Sequence, residues 1–245
     1  MDEIAIRVNN VSKIFKLDKP LATNKSSQSK QQKKTLQVLD GISFTVSKGE
    51  ILGIIGFNGS GKTTLLRIIA GIYKPTSGSV ETFGRISPLL QLGTGFQGDL
   101  DARENVIMNG MLLGIPKSQM MQNVDSILEY AELKKFANMK LKNYSSGMKA
   151  RLAFSASLRV NPDILLVDEI LAVGDISFKE KSFNEFLSYK KKGKTVLYTT
   201  HSMSMLPKLC NRVSLIHNGK VDMIGKPDDV IKRYMELIAS EKGVV

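Results

Sequence analysis

The chain has 245 residues, of which 42% are hydrophobic, enough for one globular domain with a sizeable buried core. Its single cysteine, Cys210, excludes an intramolecular disulfide and makes a reducing compartment the default. No apolar run reaches about eighteen residues and the N-terminus lacks a signal-peptide pattern, so neither a membrane span nor secretion is expected.

The charge balance is strongly basic, with 35 Lys and Arg against 23 Asp and Glu. This excess of positive charge has three possible roles, which are solvation of the surface, attraction to an anionic membrane face and binding of a nucleic acid. Basic residues are dispersed, with local density at 25–34 and 190–192, and no aromatic residue is interleaved with either cluster. Because single-stranded nucleic acid is bound through such aromatics, we favour solvation first, membrane attraction second and expect no nucleic acid.

The N-terminal part predicts an antiparallel β-structure. Alternating apolar residues at 4–8 predict a first strand, and the ranges 36–39 and 42–46 predict a second and a third. The segment 18–34 is rich in Lys, Ser and Gln, with too little apolar content to pack. We therefore expect a flexible polar insertion at 18–34.

Continuous apolar runs further along predict buried parallel strands. They lie at 51–55, 164–167, 195–198 and 212–216. A segment of helical character, about 99–157, lies between the first run and the others. Within it, a stripe at helical spacing predicts core packing and consists of Met120, Met121, Val124, Ile127 and Leu128.

The first apolar run ends at a P-loop pattern that leads into a predicted helix at 64–70. Glycines allow successive backbone N–H groups to face phosphate oxygens, and the helix N-terminus adds its positive dipole end. Lys62 is predicted to reach the β- and γ-phosphates, and the Thr63 hydroxyl to ligate Mg²⁺. The predicted nucleotide-binding positions are Gly56, Asn58, Gly59, Ser60, Gly61, Lys62, Thr63 and Thr64.

A second acidic element follows the apolar run at 164–167. Asp168 is predicted to hold Mg²⁺ through water, and Glu169 to act as the base that orients the attacking water. An Asp-Glu pair after an apolar run is often only a surface turn. In a chain that also carries a P-loop, the catalytic interpretation is favoured.

The segment Tyr144-Ser145-Ser146-Gly147-Met148-Lys149 resembles the signature motif of ABC ATPases, usually Leu-Ser-Gly-Gly-Gln. The resemblance implies that Ser145, Ser146 and Gly147 contact the γ-phosphate of ATP held by the opposite subunit. Methionine stands where the family usually has glutamine. The hydroxyl and the glycine are retained.

Two further positions match the family motifs well. Asp175, six residues after Glu169, matches the D-loop aspartate. His201, directly after the run at 195–198, matches the switch histidine that contacts the γ-phosphate and is assigned a catalytic role. The other histidine, His217, lies beside the turn Asn218-Gly219 and is not assigned one.

Two other family positions are matched less specifically. Phe15 resembles the aromatic residue that stacks on adenine, with a role in the core as the alternative. Gln97 is assigned as the Q-loop glutamine, which senses Mg²⁺ and connects to a membrane partner, and Gln91 is the competitor.

The resemblance extends from Phe15 to about Gly225, and the segments 89–96, 144–148 and 162–175 resemble the ATPases of O-antigen, capsule and teichoic acid exporters. It implies a homodimer that closes over two ATP molecules with Mg²⁺, peripheral at the cytoplasmic face of the cell membrane. The implied partner is a separate membrane permease and the implied cargo a lipid-linked polysaccharide. The alternatives are an ABC exporter of a lipid or drug, and a soluble ABC ATPase without a transport role.

The expected fold class is α/β, a RecA-like P-loop NTPase core with an antiparallel β subdomain and an inserted α-helical subdomain. Residues 1–97 and 158–245 are assigned to the core with the β subdomain, and residues 98–157 to the helical subdomain that carries the signature. Together they make one ABC ATPase domain over 1–245.

Overall fold

The structure, a computed structural model, describes residues 3–17, 35–90, 93–158, 162–168 and 175–241. Three sequence predictions lie outside these residues, namely the flexible insertion at 18–34, the competing glutamine Gln91 and the predicted base Glu169. They stay predictions from the sequence.

The described residues form nine strands and seven α-helices. The strands are β1 (Ile4–Lys16), β2 (Thr35–Ser47), β3 (Ile51–Gly56), β4 (Ser77–Thr82), β5 (Ile86–Leu89), β6 (Ile164–Asp168), β7 (Thr195–Thr199), β8 (Arg212–His217) and β9 (Lys220–Gly225). The helices are α1 (Lys62–Ile69), α2 (Ala102–Leu112), α3 (Lys117–Tyr130), α4 (Ser146–Ser157), α5 (Ile176–Lys191), α6 (Leu206–Leu209) and α7 (Pro227–Glu241). None of these described helices has the length and apolar character needed to cross a membrane.

The chain divides into two compact units. The first joins the N-terminal part, up to Phe83, to the C-terminal part from Leu197, and the second comprises the residues from Gly84 to Val196. Helices α2, α3 and α4, which lie within the predicted helical subdomain 98–157, all fall in the second unit. The subdomain boundaries themselves stay a prediction.

A three-stranded antiparallel sheet in the first unit has β1 between β2 and β4. Ile6 of β1 lies opposite Val46 on one side and Thr82 on the other. The prediction of separate strands at 36–39 and 42–46 is wrong, because β2 runs through both. Gly41, at a φ of 66°, and shifts in the register with β1 let the pairing continue past the Asp40-Gly41 pair.

The first unit also contains the strand that leads into the P-loop. All of β3 is buried, and it runs parallel to β8 with Ile54 opposite Ser214. β9 then returns antiparallel to β8. The buried parallel strands predicted at 51–55 and 212–216 are confirmed, because a strand covered on both faces reads as a continuous apolar run.

The second unit has a helical core built from α2, α3 and α4. The predicted stripe on α3 is confirmed for Met120, Val124, Ile127 and Leu128, which are all buried in this core. The prediction is wrong for Met121, whose side chain is 56% exposed. Met121 lies about 100° further round the helix than Met120, which directs it to the solvent.

Candidate functional site

The P-loop backbone depends on glycine at two positions. Gly56 ends β3 at a φ of 152°, and a Cβ there would collide with the carbonyl oxygen of Ile216 in β8. Gly61 precedes α1 at a φ of 103°, and a Cβ there would lie 2.6 Å from the Leu39 side chain. Only glycine fits such close backbone approaches at positive φ, so both positions match the predicted phosphate-binding turn.

The side chain of Lys62 folds back over the loop. Its Nζ donates hydrogen bonds to the carbonyl oxygens of Gly56 at 2.8 Å and Phe57 at 2.9 Å. The residue is only 7% exposed. The ammonium group is therefore held inside the loop by two backbone acceptors.

A cavity of about 440 Å³ opens along the outer edge of the loop. It is lined by the P-loop and by the first residues of β2 and the turn after β8, namely Gln37, Val38, Phe57, Asn58, Gly59, Ser60, His217, Asn218 and Gly219. Ser60 Oγ is buried in this wall and has no hydrogen-bond partner among the described residues. A buried hydroxyl without a partner is costly, so the loop has hydrogen-bonding capacity for a polar ligand.

Phe57 of the P-loop belongs to a cluster of aromatic rings. The ring of Phe57 lies 5.4 Å from that of His217 and 5.1 Å from that of Tyr234 in α7, measured between centroids. The side-chain amide of Asn218 lies 3.0 Å from Nε2 of His217. No local sequence pattern indicates this cluster, because its three aromatic residues lie far apart in the chain.

Phe15, predicted to stack on adenine, lies near the end of β1 and is half-buried. Its ring meets that of Tyr73 edge to face at 5.9 Å, and the ammonium group of Lys13 lies 5.1 Å from its centroid. Lys13 Nζ also donates to the carbonyl oxygen of Lys74 at 2.7 Å. The ring is therefore fixed by surface neighbours and is not enclosed in the core.

Two predicted site residues follow buried strands, as the sequence indicates. Asp168 is the half-buried last residue of β6, in the second unit. His201 comes two residues after the end of β7, in the first unit, and is exposed. The roles of both residues stay predictions.

The backbone of Gln97 is held by a buried residue that the sequence analysis did not identify. Asn105, fully buried in α2, accepts from the Gln97 N–H at 2.7 Å and donates back to its carbonyl oxygen at 3.0 Å. The same amide donates to the carbonyl oxygens of Leu100 and Asp101. The Gln97 residue itself is exposed, so Asn105 fixes the loop while leaving Gln97 at the surface.

Replacing Asn105 with alanine should lower the free energy of unfolding by about 2–3 kcal/mol, because four hydrogen bonds between a fully buried side chain and partly buried backbone groups are lost. Urea denaturation measures this difference. The matched control is Asn123→Ala, since the Asn123 side-chain amide donates to the Gln119 carbonyl oxygen in its own helix, at an exposed position. We expect less than about 0.5 kcal/mol there, and equal stability losses in the two variants would contradict the anchoring role of Asn105.

The predicted signature segment forms the start of α4. Ser145 is the N-cap of this helix, and its Oγ accepts a hydrogen bond from the Met148 N–H at 3.1 Å. Ser145 and Ser146 are exposed, whereas Tyr144 is buried and donates from its hydroxyl to the carbonyl oxygen of Phe136 at 2.7 Å. Burial, and secondarily the charge of Asp101, raises the pKa of Tyr144. A buried tyrosine thus anchors an exposed helix N-terminus, which suits an anion.

Asp175 begins the next helix in the same way. Its Oδ1 accepts a hydrogen bond from the Phe178 N–H at 2.9 Å, which makes it the N-cap of α5. Its side chain is 65% exposed, and Oδ2 lies 3.8 Å from a guanidinium nitrogen of Arg151. Ser145 and Asp175 are both predicted to contact nucleotide on the opposite copy. Each lies at the start of a helix and is exposed to solvent.

Comparisons with known proteins identify the family of the chain. The family model described as ABC transporter matches residues 39–172. A protein of Klebsiella pneumoniae named O-antigen export system ATP-binding protein RfbB is 41% identical, over 97% of this chain and 100% of its own length. A Myxococcus xanthus protein of the same name is 45% identical over 83% of this chain, which covers 47% of that longer protein.

Solved structures give the same result for the fold. The dimeric structure of MJ0796, a bacterial ABC transporter cassette, matches with a TM-score of 0.73 and 25% sequence identity. The match covers 91% of this chain and 98% of that one. The predicted resemblance and the predicted fold class are confirmed.

Proposed function

Because the chain belongs to the ABC transporter family, we propose that it binds and hydrolyses ATP to power the export of a lipid-linked polysaccharide. The observation that carries this proposal is the match to the Klebsiella protein named for O-antigen export, at 41% identity over the whole of that protein. O-antigen, capsule and teichoic acid are the candidate polysaccharides.

The P-loop supports the ATP-binding part of this proposal. Backbone N–H groups around Asn58 and Gly59, with the N-terminus of α1, stabilise the negative charge of the phosphates. Lys62 leaves the carbonyl oxygens of Gly56 and Phe57 and reaches the β- and γ-phosphates. The hydrogen bonds of the Lys62 ammonium group become stronger when phosphate oxygens replace the two carbonyl oxygens, since an anionic acceptor binds a cationic donor more tightly than a neutral one does.

The predicted metal ligands are oxygen donors of the kind that Mg²⁺ prefers. Thr63 offers a hydroxyl in the first turn of α1, Asp168 offers a carboxylate through water, and Gln97 offers an amide oxygen. When bound, the ion would neutralise phosphate charge, and these residues would hold it.

Chemistry at the γ-phosphate is assigned to two residues. Glu169 accepts a proton from the attacking water and aligns it with the phosphorus, as general bases do in phosphoryl transfer. His201 donates a hydrogen bond to the γ-phosphate. Phe15 stacks on the adenine ring and so helps to position the γ-phosphate for Glu169 and His201.

A second copy of the chain completes each site. Ser145, Ser146 and Gly147 present the exposed N-terminus of α4, and Asp175 that of α5. Both contact the nucleotide held by the opposite copy, and the dimeric cassette structure supports this arrangement. The resulting homodimer docks on a membrane permease at the cytoplasmic face of the membrane.

Deleting the gene in its own host tests the export function. We expect surface polysaccharide to disappear and lipid-linked glycan to accumulate inside the cell, with restoration by the parental gene. A Lys62→Ala gene, which removes the phosphate-binding ammonium group, should fail to restore it. Unchanged surface polysaccharide in the deletion strain would contradict this cargo.

A further inference from the structure

Helix α3 ends with a residue type that its conformation disfavours. The Leu133 N–H donates to the Leu128 carbonyl oxygen at 2.8 Å, and the Glu132 N–H to that of Glu129 at 3.0 Å. This pair of bonds is the Schellman motif, in which the residue after the C-cap is left-handed and usually glycine. Here that residue is Glu132, at a φ of 61°.

The motif itself has no need of a glutamate. Its apolar contact is provided by Leu128 and Leu133, which are both fully buried in the helical core. A glutamate at positive φ is disfavoured because its Cβ crowds the backbone. The carboxylate instead makes contacts outside the motif.

The carboxylate of Glu132 joins two helices. Oε2 lies 3.3 Å from a guanidinium nitrogen of Arg151 in α4, and Oε1 lies 3.3 Å from Nζ of Lys181 in α5. Lys181 is itself fixed, since Nζ donates to the carbonyl oxygen of Tyr130 at 2.8 Å and lies 4.5 Å from the centre of its ring. The carboxylate thus sets both cations relative to the end of α3.

Arg151 extends the network to the start of α5. The same guanidinium nitrogen that meets Glu132 lies 3.8 Å from Oδ2 of Asp175, and the group also lies over the Phe178 ring at 5.8 Å. The Arg151 side chain is only 18% exposed. Ser145, the N-cap of α4, precedes Arg151 in the same helix, so the network links the N-termini of α4 and α5.

We propose that Glu132 is a positioning residue, which orients the helix N-termini at Ser145 and Asp175 through Arg151 and Lys181. The proposal rests on the proposed function, in which these two N-termini meet the nucleotide of the opposite copy. The Glu132 side chain is 48% exposed, and ion pairs with this degree of exposure add little to the free energy of unfolding. The effect of Glu132 is therefore on geometry.

Glu132→Gly separates geometry from stability. Glycine relieves the disfavoured φ and keeps the Schellman bonds, so the melting temperature should equal or exceed that of the parent. We expect kcat for ATP hydrolysis, per folded molecule, to fall about tenfold, the scale of one lost coupled contact. KM for ATP should change less than about twofold, because the P-loop is untouched.

Two matched variants define the cause. Glu132→Gln keeps an oxygen acceptor for Arg151 without the charge, so its kcat should lie between those of the parent and Glu132→Gly. Asp125→Asn, in α3, removes an exposed ion pair of 2.6 Å between Asp125 and Arg103 of α2, and it should leave kcat unchanged. Equal losses in Asp125→Asn and Glu132→Gly would overturn the proposal by showing a general charge effect.

The outcomes also separate this inference from the proposed function. Parental kcat in Glu132→Gly, or a loss explained entirely by its folded fraction, would overturn the positioning role. If Ser145→Arg is inactive in the same assay, the shared site stands and only the role of Glu132 falls. If Ser145→Arg hydrolyses ATP at the parental rate, the shared site and the role of Glu132 are both wrong.

Discussion

Replacing Glu169 with glutamine is expected to lower the rate of ATP turnover by about 10² or more while leaving ATP binding intact. Glutamine keeps the side-chain volume but cannot accept the proton of the attacking water, so the chemical step fails and the bound state persists. Phosphate release measures kcat, and equilibrium titration with ATP measures the dissociation constant. The matched control is Glu180→Gln, which changes an exposed carboxylate of α5 and should turn over at the parental rate.

The same variant should trap the dimer. If two copies enclose ATP and cannot hydrolyse it, the closed form accumulates, because ligand that binds one state shifts the population towards it. We expect Glu169→Gln to elute as a dimer with ATP and Mg²⁺ and as a monomer without them. A monomer in both conditions that still hydrolyses at the parental rate would contradict the base assignment and the shared site together.

Mixing two inactive variants is expected to restore part of the ATPase activity. Lys62→Ala damages the P-loop of its own copy, and Ser145→Arg damages the site on the opposite copy by placing a bulky side chain at the N-terminus of α4. In a mixed dimer, one site carries both changes and the other carries neither. The intact site hydrolyses ATP, and the rate should rise above that of either variant alone.

The first mixture would also show no restored activity if both sites had to act together. A second mixture distinguishes that case. Wild-type chain is mixed with an excess of the double variant Lys62→Ala/Ser145→Arg. Every mixed dimer then has one change in each site, so activity should fall below the proportion of wild-type chain. Activity strictly proportional to the wild-type chain would show that each site lies within a single copy. Melting temperatures check that each variant is folded, since losing an N-cap destabilises a helix by about 1 kcal/mol.

Much of the fold was predictable because its elements have local causes. Residues 51–55 are apolar without a break, and β3 is buried throughout. The P-loop was predictable for the same reason, since Gly56 and Gly61 occupy positions that only glycine tolerates. Ser145 and Asp175 were identified by their motifs, and their positions as helix N-caps agree with the preference of Ser and Asp for that place.

Other strands had no local signal. β4 is mostly exposed and polar, and it exists because its backbone pairs with β1. The short strand β5 is fixed in the same way by its parallel pairing with β6. Backbone pairing depends on a partner distant in sequence, so neither composition nor periodicity predicted these strands.

The amino-acid sequence was enough to predict the chemistry, namely a phosphate-binding loop, its acidic partners and a signature segment that resembles that of the family. The contacts around those parts became visible in the folded chain alone, as with Asn105 bonded to the Gln97 backbone, Tyr234 against Phe57 and Glu132 paired with Arg151. A motif is contiguous because one ligand contacts neighbouring residues, so it can be read along the chain. The supporting contacts join residues from different elements, and folding alone brings those residues within reach of one another.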